Sequence, residues 1–166
     1  MISFVALFTG CSEQNNAGKE IIKINTQWLD SIKHKSDSSW VKSYRSKEFV
    51  SAEYYVDKKD SIVTQLMKDS AGAIRQINIA KYNRVRLFFA EYYANGQLVA
   101  KLPVNEKGQY EGPSKSYYED GSIRSSGLYR NGFYYGEWKN FDSKGRLVSA
   151  DVYDQNGQLE KNIPAH

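Results

Sequence analysis

The amino-acid sequence predicts a mainly β protein, an antiparallel meander of about ten strands with one N-terminal helix, and three observations carry that expectation. Tyr (13) and Gly (12) are abundant among 166 residues, and 40% hydrophobic against 25% charged residues supplies a core without the composition of a helical bundle or a disordered chain. Turn-forming pairs recur at Lys59-Asp60, Ala71-Gly72, Asn83-Arg84, Asn95-Gly96, Lys107-Gly108, Asp120-Gly121, Asn131-Gly132, Lys144-Gly145 and Asn156-Gly157, in steps of 12, 12, 12, 12, 13, 11, 13 and 12. So regular a beat marks a structural repeat. Between turns the side chains alternate: Val85, Leu87, Phe89 and Tyr93 share one face, and Arg86, Phe88, Ala90 and Tyr92 the other. Asn-Gly and Asp-Gly favour the positive φ of tight hairpins, so each beat is a strand and a reversal, and the ten strands run from near Phe49 to near Ile163.

The chain opens on an uncharged segment, Met1 to Gly10, that ends Leu7-Phe8-Thr9-Gly10-Cys11 and contains the approach to the only cysteine. This segment resembles a bacterial lipoprotein signal, although no basic residue precedes it, which points to a start codon placed too late. The resemblance implies that residues 1–11 are signal segment and lipidation site, that Cys11 carries the lipid, and that the protein lies in the bacterial cell envelope. Ser12 after the cysteine implies outer-membrane delivery by the same resemblance, facing periplasm or surface. Residues 12–19, Ser-Glu-Gln-Asn-Asn-Ala-Gly-Lys, are polar and suit a flexible tether. The alternative is a buried first strand over Phe4–Phe8 with Cys11 as a core thiol.

Residues 20–46 are expected to hold the helix and a connection. Ile21, Ile22, Ile24, Trp28, Leu29 and Ile32 fall at helical offsets, which predicts about four amphipathic turns between Lys19 and Lys35. Its stripe of Ile21, Ile24, Trp28 and Ile32 would cover the aliphatic early strands around Ile62, Leu66, Ile77, Ile79 and Leu87.

The meander occupies residues 47–163, and its second half repeats at about 24 residues. Tyr92-Tyr93-Ala94-Asn95-Gly96-Gln97-Leu98 matches Tyr117-Tyr118-Glu119-Asp120-Gly121-Ser122-Ile123, and Lys107-Gly108-Gln109-Tyr110-Glu111-Gly112 matches Asn131-Gly132-Phe133-Tyr134-Tyr135-Gly136, with Trp138 following. Over residues 91–160 these motifs resemble the MORN repeat, in the variant found in bacterial envelope lipoproteins and in proteins labelled antitoxin-like. The resemblance implies a non-catalytic binding sheet, with an antitoxin or immunity role as one alternative. An open single-layer sheet is expected rather than a closed up-and-down barrel, because Ser125, Gly127, Ser149 and Asp151 interrupt the apolar alternation; a closed barrel would instead suit a carrier of a small lipophilic ligand.

Charge and motif content argue against several functions. Net charge is +4, but Lys and Arg alternate with acids, so no nucleic-acid stripe is expected. His34 and His166 have no metal-spaced partner, and no serine has a plausible histidine base, so no enzyme activity, metal or cofactor is expected. The aromatic residues are the unusual feature, with ten of the thirteen Tyr between Tyr82 and Tyr153. They suit cross-strand scaffolding, including rings laid over the mid-strand glycines Gly112 and Gly136, better than an exposed contact ladder. If a binding stripe exists, the 24-residue offset places Tyr110, Tyr118, Tyr134 and Trp138 on one face, opposite Phe133, Tyr135 and Phe141. Its partner would be a protein or an envelope glycan, with the membrane engaged through the lipid.

Overall fold

The computed structural model describes residues 13–15, 19–45 and 48–165. Cys11, the residues 1–10 expected to be a signal segment, and His166 lie outside the described residues. Eleven strands form one antiparallel sheet in strict chain order: β3 (Ser38–Ser43), β4 (Ser51–Asp57), β5 (Ile62–Lys68), β6 (Ile74–Lys81), β7 (Arg86–Tyr92), β8 (Leu98–Leu102), β9 (Gly112–Tyr117), β10 (Ile123–Arg130), β11 (Phe133–Phe141), β12 (Leu147–Tyr153) and β13 (Leu159–Pro164). The sheet does not close, since β3 and β13 are its two edges. All nine expected turns join consecutive strands of β4 to β13. The eleventh strand, β3, lies in the stretch expected to be a connection. Its Ser-Ser-Trp-Val-Lys-Ser sequence has no apolar alternation because every residue is exposed, and it is held by the ladder to β4 and by Trp40 stacked on Tyr54 at 4.8 Å.

Six of the turns share one construction. At Asp69, Tyr93, Asn105, Tyr118, Asp142 and Asp154 the backbone N–H donates to the carbonyl four residues on, and the N–H of the residue three on donates back. That third-on residue is Gly72, Gly96, Gly108, Gly121, Gly145 or Gly157, each with φ between 77° and 84°. This is a type I turn closed by a left-handed glycine, which matches the twist of the flanking strands. The turn from Lys81 to Val85 makes the same two bonds, but Arg84 occupies the left-handed position at φ 69°. Only Asn131-Gly132 is the two-residue hairpin, with φ 52° and 90°.

The helix α1 (Thr26–Lys35) is shorter than its apolar spacing predicts. Residues from Lys19 onward are not helical: β2 (Lys19–Ile21) pairs with β1 (Glu13–Asn15), inside the segment expected to be tether and first helical turns. Ile21, Ile22 and Ile24 are β-branched, and the backbone here is drawn to the end of the large sheet, where Glu20 N–H donates to Gly121 O and Leu98 N–H to Ile22 O, both at 2.8 Å. Asn25 then starts the helix, its side chain accepting from the Trp28 N–H at 2.9 Å, and Lys33, His34 and Lys35 face the carbonyl end.

One face of the sheet carries the core. Leu66, Ile77 and Ala90 are cross-strand neighbours, as are Thr64, Ile79 and Phe88, and Tyr92 pairs with Leu98. Leu29 is buried against this cluster with Ile22, Ile24, Trp28 and Ile32 around it, and Trp28 meets Phe88 edge-on at 5.6 Å. The helix therefore covers the aliphatic strands, but through Trp28, Leu29 and Ile32; Ile24 of the expected stripe packs there from outside the helix, and Ile21 lies in β2. Residues one position out of phase, Gln76, Glu91, Ala100 and Ser116, register with one another on the opposite or far face.

Candidate functional site: a ring band across the far face

On the far face five aromatic side chains meet near the end of the sheet that bears the Lys81–Val85 and Asn131-Gly132 turns. Tyr110 lies 5.4 Å from Tyr129, Tyr129 lies 5.1 Å from both Tyr134 and Trp138, Tyr134 is 4.5 Å from Trp138, and Tyr153 closes the row 5.1 Å from Tyr134. The contacts are tilted or edge-to-face, the geometry the ring quadrupole prefers. Arg86 extends the band toward β7: its guanidinium lies 5.3 Å from the Tyr110 ring and 5.4 Å from the Phe89 ring, and it donates to the Tyr110 hydroxyl. The row thus crosses from β7 to β12 perpendicular to the strands.

Trp138 is the foundation of this band rather than its contact surface. It is 8% exposed, and its indole lies on Gly127 of the neighbouring strand so closely that a Cβ there would sit 2.5 Å from ring atoms Cγ and Cε2. Its Nε1–H donates to Leu128 O at 2.9 Å, in the interval between Ser126 and Leu128 where the β10–β11 register shifts. The shift sets Gly127 opposite Gly136, Glu137 and Trp138, and Gly136 takes φ 65° to make the bulge. Two extra residues preserve the alternation, so Tyr134 and Trp138 stay on one face. The glycine covered by a ring is therefore Gly127. Gly112 and Gly136, expected to be covered, instead have left-handed φ of 103° and 65° and no aromatic atom within 4 Å of a notional Cβ.

Tyr134 is 42% exposed and is the most open member of the band, with Tyr110, Tyr129 and Tyr153 half-buried. Burial, then the Tyr134 and Tyr110 hydroxyls, push the Tyr129 phenol well above its ordinary value of 10.0, so it stays protonated and able to donate. Burial, then Asp151 and Tyr134, push Tyr153 the same way. Tyr118 is not part of the band. It sits at the opposite end of the strands, where its hydroxyl donates to Phe141 O at 2.8 Å, as the Tyr93 hydroxyl donates to Tyr117 O at 3.0 Å. Each of these Tyr ties one repeat to the next, a scaffold role that the sequence spacing alone does not separate from membership of a stripe. Tyr129 and Tyr153 are the members that sequence reasoning passed over, and their own 24-residue offset is the signal that would have found them. Arg86 stands at the same offset before Tyr110.

Residues 110–131 match the family model described as MORN repeat variant. The match supports a MORN-repeat protein. It takes in Tyr110, the left-handed glycine Gly112, the Tyr118–Ser122 turn, Gly127 and Tyr129, so the MORN unit contributes two rings of the band and the glycine on which Trp138 rests. Comparison with curated proteins finds no match.

Proposed function

We propose that this is a non-catalytic, lipid-anchored protein of the bacterial envelope whose MORN-type sheet captures a macromolecular partner on its far face. The observation that carries the binding reading is the ring band itself: exposed and half-buried tyrosines fixed in place by a buried tryptophan and flanked by Arg86. Rigid amphipathic rings give a large contact area at a small cost in side-chain entropy. The open sheet favours capture on a face over carriage of a lipophilic ligand inside a closed barrel.

The test is capture from detergent-solubilised envelope by the full chain. Tyr110→Ala combined with Tyr134→Ala is expected to reduce recovery of the partner at least tenfold, whereas Tyr118→Ala, away from the band, leaves recovery unchanged. Because Tyr134 is 42% exposed and Tyr110 only half-buried, the double variant should lose less stability than the ~3–5 kcal/mol of a buried aromatic truncation. Undiminished capture by that variant refutes the reading. Trp138→Ala, by contrast, is no longer a clean binding probe, since it removes a buried side chain.

The anchor rests on the likeness of Leu7-Phe8-Thr9-Gly10-Cys11 to a lipoprotein signal. Acyl chains contribute about 0.8 kcal/mol per buried CH₂, so a multiply acylated Cys11 would hold the protein on the membrane. Cys11→Ser is expected to move the protein into the soluble fraction on cell fractionation, and retention in the membrane pellet would contradict the anchor.

A further inference from the structure

Beside the ring band the far face bears a cleft of about 470 Å³ whose lining includes Gln65, Asn78, Lys81, Tyr82, Arg84 and Arg86. Arg86 belongs to both features, so cleft and band are continuous from β5 to β12. Deepening the capture reading, on which this inference rests, we propose that the two together form a site for an anionic glycan.

Charge is the first argument. Arg84 and Arg86 make no ion pair with a carboxylate among the described residues. On the same face Glu91 accepts from Gln76 at 3.0 Å and Asp151 accepts from Asn140 and Asn162, so neither carboxylate pairs with these arginines. Two guanidinium groups on the cleft attract an anion, and the guanidinium fork matches a carboxylate. Arg84 adds an independent sign. Six turns of the same construction place glycine at the left-handed position; here Arg84 occupies it, as Ser61 and Asn131 do in two other turns, in a conformation that a non-glycine residue adopts at a cost. What that strain gains is a cation on the rim of the cleft.

The remaining groups specify a sugar rather than charge alone. Asn78 donates its amide hydrogens to Gln65 and Gln76 at 3.2 Å, and Gln65 donates to the Tyr54 hydroxyl at 2.9 Å, which fixes a row of amides along the cleft. Such amides pair with hydroxyl groups, while tyrosine ring faces and edges pack on pyranose C–H surfaces. The band runs across the strands on a sheet face, where ladder bonds have already consumed the backbone N–H and C=O groups. An extended peptide laid there would gain none of the main-chain bonds that strand addition supplies.

The experiment titrates the full chain in detergent with oligogalacturonate, a neutral glucan oligomer of equal length, and polyglutamate. Oligogalacturonate should bind at least tenfold more tightly than either of the others, with an affinity that falls as salt is raised. Arg84→Gly should lower that affinity at least tenfold while leaving the melting temperature unchanged or higher, because glycine relieves the left-handed backbone. Tyr134→Ala should lower it comparably, since band and cleft act as one site. Absence of oligogalacturonate binding, equal binding of polyglutamate, or an Arg84→Gly affinity equal to wild type would each overturn the glycan inference. If envelope capture still depends on Tyr110 and Tyr134 while oligogalacturonate fails to bind, the glycan inference falls and the capture reading stands; if capture is also independent of those rings, both fall.

Discussion

Gly127→Ala is expected to destabilise the protein by about 3–5 kcal/mol, the range for losing a buried aromatic side chain, although it adds only one methyl group. The new Cβ would lie 2.5 Å from Trp138 Cγ and Cε2, well inside contact distance, and those atoms belong to a rigid ring with no flexible end to yield. The indole must therefore leave the surface of β10. With it go the Nε1 bond to Leu128 O and the edge contacts to Tyr129 and Tyr134. Urea unfolding monitored by circular dichroism measures the loss, and a change below about 1 kcal/mol would mean that the close approach is not a constraint. A double-mutant cycle sharpens the expectation: once Trp138→Ala is present, Gly127→Ala should cost little, because the ring it displaces is already gone.

The meander was legible in the sequence because its turns are set by local backbone chemistry. A left-handed position selects glycine whatever surrounds it, so the beat of Gly72, Gly96, Gly108, Gly121, Gly145 and Gly157 survives as a pattern in one chain. The helix position was legible to its centre and not to its start. Apolar spacing at Ile21, Ile22 and Ile24 serves a helix and a half-buried extended strand alike, and what decides between them is a partner about 75 residues away, Gln97. The edge strand β3 was invisible for a related reason, since a strand exposed at every residue has no alternation to display.

The candidate band was half legible. Equal offsets identify Tyr110 and Tyr134 as equivalent, but whether a ring contacts solvent or a neighbouring backbone depends on which residue lies across the ladder. Trp138 faces Gly127 because two residues of bulge shift the β10–β11 register, and no spacing rule announces a bulge of that size in advance. Tyr118 shows the converse error. It lies at an even offset from Tyr110, yet it sits beyond β9 at the far end of the strand, where its hydroxyl reaches Phe141 O.

Gln97→Ala is expected to detach the segment from Lys19 to Lys23 from the sheet, at a cost of about 2–6 kcal/mol from two backbone groups left unmet at ~1–3 kcal/mol each. Gln97 is 1% exposed, and its one amide serves both groups: Oε1 accepts from Ile22 N–H at 3.2 Å and Nε2 donates to Glu20 O at 3.0 Å. Around this clasp Glu20 reaches Lys115 at 2.7 Å and the Tyr117 hydroxyl at 2.8 Å, and Lys19 pairs with Asp120 at 2.6 Å. Partial burial pushes the Glu20 carboxyl up, but Lys115 and Tyr117 outweigh it and hold the group below its ordinary 4.5; Lys19, with Ser122, holds Asp120 low as well. A carboxyl depressed in the folded state adds stability above its unfolded pKa and loses it as pH falls through the folded one, so acid should loosen the same segment that the substitution does. Amide hydrogen exchange reads both effects at one place, the Leu98 N–H that donates to Ile22 O. Protection there should fall in Gln97→Ala at neutral pH, and in the wild type it should fall below about pH 4 more steeply than in Glu20→Gln. If Leu98 keeps its protection in Gln97→Ala, the strap is held by its ion pairs and by Ile22 and Ile24 in the core, and the clasp is incidental.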